Sequence, residues 1–411
     1  MGVGSMRYFL DLDIQLLAYY NRRRKHSHHN FTFFLSIPTQ LSQIMNKESL
    51  RADVIVIGGG VIGCAIAYSL AKAQVKTLVI DKADSVGREA SWAGAGILAS
   101  HASTHDPYAE LCRASLGLYP ALAEALQAET QIDIEFIRSG SIAVFFTDEE
   151  RQGLTGLASR RLDRGFSAEV LTPEAVWELE PAISQSIVGG VRFPHDAQVR
   201  NPKLVQALAK GAALLGAEFL FGNPVTGFLR DGERVTGVEV NRERIYGDTL
   251  VIASGCWSGA IAAQLGGTLP MEPARGQMVL AEAMPPILRH VIDGLGVYLV
   301  PRSDGKILIG ATVEFVGYDK RTTLEGTRQM IEAGIGLMPS LAEKSFVQTW
   351  AGLRPYAKGG PYIGALPGFD NVFVAAGHFK NGILLAPITG KLIGELITTG
   401  NPSMALTPFS L

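Results

Sequence analysis

The chain has 411 residues, of which 47% are hydrophobic and 18% charged, so it is long and apolar enough to bury a core in each of two domains. Its formal net charge is only -2, and so weak a field favours neither a nucleic acid nor a membrane as a partner. The cysteines Cys64, Cys112 and Cys256 form no CxxC pair, which argues against a zinc or redox motif and is consistent with a cytoplasmic protein.

The first 50 residues show no helical or strand periodicity, and we expect them to be a disordered extension. They contain a basic run at residues 22–25 but no apolar core of the kind that a secretory signal requires. Three histidines in this extension do not by themselves predict a metal site, and no metal site is predicted in the chain. No later segment reaches ~20 unbroken apolar residues, so no transmembrane helix is expected.

A dinucleotide-binding motif follows this extension. Residues 53–58 form an apolar run typical of a buried parallel strand, and Gly58-Gly-Gly60-Val-Ile-Gly63 continues it as a GxGxxG pattern. In such a motif Gly58 permits a tight turn, Gly60 the approach of a pyrophosphate, and Gly63 close packing of helix on strand. The helix is predicted over residues 61–73, with the positive end of its dipole towards the phosphates.

The second strand of this fold, residues 77–80, ends at Asp81. A carboxylate about 20 residues beyond the glycines is expected to bond the hydroxyls of a ribose. A GxGxxG pattern alone can mark an ordinary tight turn. Here it follows a strand and precedes a helix, a second strand and an acidic residue, and this order predicts a dinucleotide site. The small residues at 87–98 are compatible either with a segment that runs flat beneath a second ring system or with a flexible loop.

The rest of the chain alternates between helical and strand patterns. Further helices are predicted at 107–128, 148–164, 173–179, 201–215 and 324–337, and from about 383. Strands are predicted at 141–146, 218–221, 226–230, 236–240, 250–255, 277–282, 297–301, 307–311 and 372–376. The helix at 107–128 is interpreted as a core-facing element without chemistry of its own.

Five motifs together resemble the glycine oxidase group of the D-amino-acid oxidase superfamily. They are residues 53–63, residues 88–98, Gly255-Cys-Trp257-Ser258, Trp350-Ala-Gly352-Leu-Arg354-Pro355 and residues 377–387. The resemblance covers nearly everything from residue 52 onward. It implies noncovalent FAD, glycine, sarcosine and short D-amino acids as substrates, and oxygen as the acceptor. Hydride transfer from the α-carbon to the flavin, with oxygen reduced to hydrogen peroxide, is our hypothesis for the mechanism. It also implies a homotetramer and, in many bacteria, a role in thiamine thiazole assembly.

The predicted fold is α/β, with a Rossmann-type FAD-binding domain interleaved with a mainly antiparallel α+β substrate domain. The apolar strands at 250–255 and 372–376, each followed by glycine, indicate that the nucleotide fold resumes twice after insertions. We predict FAD-binding segments at 51–130, 196–265 and 346–411, and substrate-domain segments at 131–195 and 266–345.

The resemblance implies residue roles position by position. Residues 378–384 would wrap the isoalloxazine ring, and Val225 would touch the adenine side. The implied cofactor-binding set is Gly58, Gly60, Val61, Ile62, Gly63, Asp81, Lys82, Arg88, Ala90, Ser91, Ala95, Gly96, Ile97, Val225, Gly255, Trp257, His378, Phe379, Lys380, Asn381, Gly382, Ile383 and Leu384.

The implied substrate site consists of Arg354, Tyr298 and Lys380. A planar guanidinium fits a carboxylate with two parallel hydrogen bonds. The alternative is a surface arginine, which the position of Arg354 between Trp350 and Pro355 and among glycines disfavours. Tyr298 lies between Val297 and Leu299 and is also compatible with an ordinary core position. Lys380 stands where the family usually has arginine. Lysine keeps the positive charge but lacks the planar guanidinium, which puts the efficiency of the reaction with oxygen in question.

Two other functions are compatible with the same sequence. A D-amino-acid or sarcosine dehydrogenase would keep FAD but pass electrons to a quinone or a protein, and it would form no peroxide. A noncatalytic dinucleotide-binding module would use only the N-terminal motif and would purify without flavin. Pocket volume, and with it the choice among glycine, sarcosine, D-alanine and D-proline, depends on loop positions that the sequence leaves open.

Overall fold

The computed structural model describes residues 50–99, 106–163 and 167–411, so the predicted extension lies outside the described residues except for Leu50. The helices are α1 (Val61–Lys72), α2 (Ala90–Ala93), α3 (Pro107–Thr130), α4 (Asp148–Leu162), α5 (Pro173–Leu179), α6 (Asn201–Leu214), α7 (Ser258–Gln264), α8 (Leu324–Leu337) and α9 (Gly382–Thr399). The strands are β1 (Arg51–Ile57), β2 (Thr77–Ile80), β3 (Ile97–Leu98), β4 (Ser141–Phe145), β5 (Glu169–Leu171), β6 (Gly189–Phe193), β7 (Ala197–Gln198), β8 (Glu218–Leu220), β9 (Val225–Asp231), β10 (Arg234–Val240), β11 (Glu243–Ile252), β12 (Met271–Glu282), β13 (Val291–Gly294), β14 (Val297–Pro301), β15 (Lys306–Gly310), β16 (Ser345–Ala357), β17 (Tyr362–Ala365) and β18 (Val372–Ala376).

The first sheet has a parallel core in the order β8-β2-β1-β11-β18. β2 and the carboxyl end of β1 are buried on both faces and accordingly read as continuous apolar runs. The chain winds outward from β1 in both directions, so the strand order reverses between β1 and β11. Ligands of doubly wound folds bind at the carboxyl ends of strands at such a switch point. This sheet confirms the predicted Rossmann-type fold.

One face of the first sheet is covered by helices that pack closely on each other. α9 contacts α1 and α3, and a side chain at Gly390 would lie 2.6 Å from the carbonyl oxygen of Ala65. The segment Phe379–Thr399 has 21 residues and is apolar enough to cross a membrane by length and composition. However, 56% of its apolar window is buried inside the protein, as in the core helix of a globular domain.

The second sheet follows the order β16-β12-β15-β14-β13-β4-β6-β5. All its pairs are antiparallel except β13 with β4, which confirms the predicted mainly antiparallel character. α8 packs Met330 and Leu337 against the apolar face formed by residues such as Ile292, Leu299 and Ile309. Strands β12, β14 and β16 of this sheet contribute residues to the cavity described below.

The principal difference from the sequence prediction is β16. This strand, which was not predicted, pairs with β12 from Ser345 to Ala357. Its sequence mixes polar residues, glycine and proline and shows no alternation, so no strand signal was present. The predicted third FAD-binding segment begins at 346, whereas residues 345–357 pair within the second sheet. The domain division itself stays a prediction.

Candidate active site

A cavity of about 550 Å³ lies at the carboxyl ends of the first sheet. It is lined by the last residues of the parallel strands, among them Ile57, Ile80 and Ala376, and by Met278 and Tyr298 from the second sheet. The cavity therefore occupies the switch point of the nucleotide fold and extends from there to the antiparallel sheet.

The glycine turn has the geometry that the motif predicted. Gly58 has a φ of 115°, and a side chain there would meet the carbonyl oxygen of Ala253 at 2.4 Å. A side chain at Gly63 would lie 1.8 Å from the carbonyl oxygen of Gly58, so only glycine lets α1 sit this close to the turn. Gly60 lines the cavity, and the nearest atom to a side chain there is the hydroxyl of Ser91 at 3.3 Å. The missing side chain of Gly60 therefore serves to keep the cavity open, whereas the packing of the protein would tolerate a side chain there.

Asp81 lies at the end of β2 and lines the cavity. Its two carboxylate oxygens accept hydrogen bonds from the backbone N–H groups of Gly59 at 2.6 Å and Ala83 at 2.7 Å. Burial raises the pKa of Asp81 despite these two donors. Nearby, Nζ of Lys82 lies 3.4 Å from the ring centroid of Trp257, in a cation–π contact that forms part of the same wall.

The small-residue segment at 87–98 is an ordered wall rather than a flexible loop. It contains α2, and the hydroxyl of Ser91 accepts a hydrogen bond from the N–H of Val61 at 2.9 Å. A side chain at Gly352 of β16 would lie 2.4 Å from Cβ of Ala93, so the strand presses directly on the segment. The segment therefore joins the glycine turn to the second sheet.

Two polar residues that the sequence did not indicate hold this segment in place. Asn201 donates from Nδ2 to the carbonyl oxygen of Ser91 at 2.5 Å. The guanidinium of Arg302 is buried, donates to the carbonyl oxygens of Ala95 and Val199, and has its pKa lowered to about 10 by burial. Neither role had a sequence signal, because both depend on contacts between distant parts of the chain.

Arg354 projects from β16 into the wall of the cavity. It is half-buried, and its Nη1 donates to the carbonyl oxygen of Thr312 at 2.9 Å. The guanidinium covers Gly276 of β12, where a side chain would lie 2.2 Å from Nη1. Within the part of the chain that the structure describes, no Asp or Glu forms an ion pair with Arg354. A guanidinium in this position is open to an anion from outside the protein.

Tyr298 lines the same part of the cavity as Arg354. Burial raises the pKa of its hydroxyl, although the nearby positive charge of Arg354 opposes this shift. The hydroxyl also lies 3.6 Å from the sulfur of Met278. Tyr298 is therefore protonated at neutral pH and can donate a hydrogen bond beside the guanidinium.

The turn at residues 377–383 closes the cavity from the C-terminal side. His378 is 2% exposed, its Nε2 lies 3.1 Å from the hydroxyl of Thr389, and burial lowers its pKa to about 3. Phe379 has a left-handed φ of 47°, and its ring packs edge-on against Tyr356 at 5.0 Å. Lys380 is exposed and lies 5.5 Å from the ring of Phe379. His378 is thus a neutral structural group, whereas Lys380 lies exposed at the rim of the cavity.

A family model described as FAD dependent oxidoreductase matches residues 53–396. The chain belongs to the FAD-dependent oxidoreductase family. Glycine oxidase from Pseudomonas aeruginosa is 36% identical over 361 residues, which cover 87% of this chain and 98% of that protein. The bifunctional protein ThiO/ThiG from Trichormus variabilis is 33% identical and is matched over 88% of this chain and 55% of its own length. The crystal structure of glycine oxidase from Geobacillus kaustophilus superposes with a TM-score of 0.85 at 34% identity, covering 88% of this chain and 99% of that one.

Membership of this family makes the chain an FAD-dependent amine oxidoreductase, and the residues of the cavity fit FAD. Gly60 leaves space where any side chain would enter the cavity, and Asp81 lies where a ribose is expected. α1 starts at Val61 with no acidic residue in its first turn, so its positive end is free to face a pyrophosphate. The family and the cavity thus agree on the cofactor that the sequence predicted.

The structure brings most of the predicted cofactor residues to the cavity, but three lie elsewhere. Gly63 lies beneath the glycine turn, Leu384 is fully buried in the core, and Arg88 forms an exposed ion pair with Asp84. The other predicted residues, including Val225, Gly255 and Trp257, line the cavity wall. Among residues 50–99, 106–163 and 167–411, no group of three His, Cys, Asp or Glu side chains is placed to hold a metal ion.

The family's C-terminal turn depends on α3, a helix that was expected to have no chemistry of its own. Pro387 of α9 lacks an N–H, so the carbonyl oxygen of Ile383 has no donor within its helix. The hydroxyl of Tyr119 in α3 donates to that oxygen instead, and the hydroxyl of Ser115 donates to the carbonyl oxygen of Leu384 at 2.6 Å. α3 thereby fixes the first turn of α9, which borders the cavity.

The sequence did contain a signal for the part of the cavity wall formed by β12 and β16. Gly276 and Gly352 lie directly opposite each other in the β12–β16 pair. An isolated glycine within a strand often marks a close approach of another group. Here Gly276 accommodates the guanidinium of Arg354, and Gly352 accommodates Ala93.

Proposed function

We propose that the chain catalyses the oxidative deamination of glycine and other small amines such as sarcosine and short D-amino acids, with oxygen as acceptor and hydrogen peroxide as product. The observation that carries this proposal is Arg354, a half-buried guanidinium on the cavity wall without an acidic partner in the described residues. A planar guanidinium binds a carboxylate through two parallel hydrogen bonds. The similarity to glycine oxidases supports the same substrate class.

In this mechanism Arg354 holds the substrate carboxylate and Tyr298 donates a second hydrogen bond to it, which fixes the amino acid within the cavity. The glycine turn and the segment at 87–98 would hold FAD noncovalently, and the bound cofactor would supply the two-electron oxidation of the amine as a hydride acceptor. The protein needs no base at the α-carbon. His378 is buried and neutral at neutral pH, with its Nε2 beside the hydroxyl of Thr389. Water then hydrolyses the released imine to an oxo acid and an amine, which is ammonia from glycine and methylamine from sarcosine.

We also propose a cellular setting for this activity. The protein would be a cytoplasmic homo-oligomer, and its imine product would serve the assembly of the thiamine thiazole. The similarity to a protein named bifunctional ThiO/ThiG supports the biosynthetic role. The small net charge supports small-molecule partners rather than nucleic acid.

The deciding experiment is a peroxide-coupled screen of glycine, sarcosine, D-alanine and D-proline on the purified yellow protein. We expect one hydrogen peroxide per amine consumed, because oxygen takes both electrons. Turnover with a quinone or phenazine acceptor but without peroxide would identify a dehydrogenase instead. A colourless protein that releases no flavin on denaturation would leave only a dinucleotide-binding role.

A further inference from the structure

Residues 311–323 form the connection between β15 and α8, and its first residues border the cavity. Ala311 and Val313 both line the cavity wall. Between them, Thr312 presents its carbonyl oxygen to Nη1 of Arg354 at 2.9 Å. The orientation of the guanidinium therefore depends on where the backbone of Thr312 lies.

Glu314 holds Thr312 in that place. Its Oε1 accepts a hydrogen bond from the hydroxyl of Thr312 at 2.5 Å and from Nε2 of Gln277 at 2.8 Å. Its Oε2 accepts from Nη2 of Arg275. The backbones of Glu314 and Arg275 also exchange two hydrogen bonds, at 2.8 and 2.9 Å. A single carboxylate thus joins the Thr312 loop to β12.

The interior side of this network is shielded from water. Arg275 is 4% exposed and Gln277 is fully buried, and the N–H of Gln277 donates to the hydroxyl of Thr312 at 3.0 Å. Burial opposes ionisation of Glu314, but hydrogen bonds from Arg275, Thr312 and Gln277 outweigh it and lower its pKa. Glu314 is therefore an anion at neutral pH, and charge-assisted hydrogen bonds of this kind are stronger and shorter than neutral ones.

We propose that Glu314 is a positioning residue that acts through Thr312 to align Arg354 and so sets the preference of the site for amines that carry a carboxylate. This inference rests on the proposed function, in which Arg354 binds the substrate carboxylate. Without the charge of Glu314, the hydrogen bonds that its side chain accepts from Thr312 and Arg275 weaken, and the two backbone hydrogen bonds to Arg275 alone do not keep Thr312 in place. Arg354 then loses the carbonyl that orients its fork, and the two parallel hydrogen bonds to a carboxylate no longer form together.

Asp319 offers a matched control within the same network. Its Oδ2 lies 3.4 Å from Nη1 of Arg275, and it also pairs with the exposed Arg321 at 2.9 Å. It makes no hydrogen bond to Thr312 among the bonds of the described chain. Asp319→Asn therefore removes a carboxylate from Arg275 without touching the link to Arg354.

The test compares Glu314→Gln and Asp319→Asn as FAD-loaded proteins with the wild type. Acetate is titrated as a carboxylate probe, and its binding is followed by the change in flavin absorbance. Steady-state rates are measured for glycine and for glycinamide, which has the same size but no carboxylate. In Glu314→Gln we expect acetate binding to weaken and the KM for glycine to rise by about tenfold, the loss typical of one hydrogen bond to a charged group. We expect kcat and FAD content to change by less than about twofold, and the rates with glycinamide to stay unchanged.

Several outcomes decide the matter. Unchanged acetate affinity and glycine KM in Glu314→Gln would overturn the inference, as would an equal loss in Asp319→Asn, which would indicate a general loosening of the loop. If Glu314→Gln does not fold, Thr312→Val removes the same link from its other end and must show the same selective loss. If the wild type neither binds acetate nor oxidises glycine, the proposed function itself is wrong. If the wild type binds acetate and oxidises glycine but Glu314→Gln behaves like it, only the inference about Glu314 is wrong.

Discussion

Arg354→Ala is the substitution with the largest expected effect on substrate binding. Arg354 meets the carbonyl oxygen of Thr312 but no carboxylate in the described residues, so its charge is available to the substrate. Truncating one partner of a buried, hydrogen-bonded charge pair costs about 2–5 kcal/mol. Because Arg354 is half-buried rather than fully buried, water screens part of the interaction, and we take the lower half of that range. A loss of about 2–3 kcal/mol corresponds to about 30-fold to 150-fold in kcat/KM for glycine.

The assay is peroxide formation from glycine and from glycinamide, with flavin content measured by absorbance. Arg354→Ala should stay yellow and should lose rate with glycine far more than with glycinamide. Arg354→Lys should recover only part of the loss, because an ammonium supplies charge without the planar fork. Arg328→Ala, which removes an exposed arginine of α8 that pairs with glutamates on its own helix, serves as the control and should change neither rate. A near wild-type KM for glycine in both Arg354 variants, with normal flavin content, would refute the assignment of the carboxylate site.

Three further substitutions test other parts of the structure. Gly60→Val should fold but purify without FAD, because the valine side chain enters the cavity. A full complement of flavin, measured by absorbance, would contradict the placement of Gly60 in the cofactor site. Tyr119→Phe leaves the carbonyl oxygen of Ile383 without a donor and should lower the free energy of unfolding by about 1–3 kcal/mol in urea titrations. Tyr68→Phe, whose hydroxyl bonds an acidic side chain of α3, is the comparison and should leave the flavin spectrum unchanged, whereas Tyr119→Phe should shift it. His378 has a folded pKa of about 3, below its unfolded value of about 6.5, so unfolding takes up a proton between these values and stability should fall as the pH drops from about 6.5. His378→Asn should reduce that dependence in urea titrations at pH 7 and pH 5, and an identical dependence in both proteins would contradict the assignment.

The dinucleotide motif was predictable because its constraints are local. Gly58 needs glycine for its φ of 115°, and Gly63 needs its missing side chain because the carbonyl oxygen of Gly58 lies five positions away in the same turn. Strands of the parallel sheet were predictable for a related reason, since burial on both faces produces unbroken apolar runs. The predicted bounds of β2, β14, β18 and α8 agree with the structure.

The cavity wall formed by β12 and β16 was less predictable, because it depends on pairing between strands that are far apart in the sequence. β16 has no alternation of apolar and polar residues, so neither the strand nor its register with β12 could be derived. Arg354 was found through the resemblance, but its contact with Thr312 is made across the sheet, 42 residues away in sequence. The hydroxyl of Tyr119 lies in a helix whose pattern indicated only core packing, and its partner Ile383 is 264 residues away.

The sheet order has a consequence for synthesis of the protein. The carboxyl half of β11, which ends at Ile252, has β18 as its outer neighbour, and β18 begins only at Val372. At about 5–20 residues per second, synthesis from residue 253 through Val372, 372 - 252 = 120 residues, takes about 6–24 s. During that time the growing chain carries an apolar strand edge, which is a template for pairing with other chains. Several residues between 375 and 383 complete the cavity wall and emerge later still, so FAD binding cannot stabilise the nascent chain before they are made.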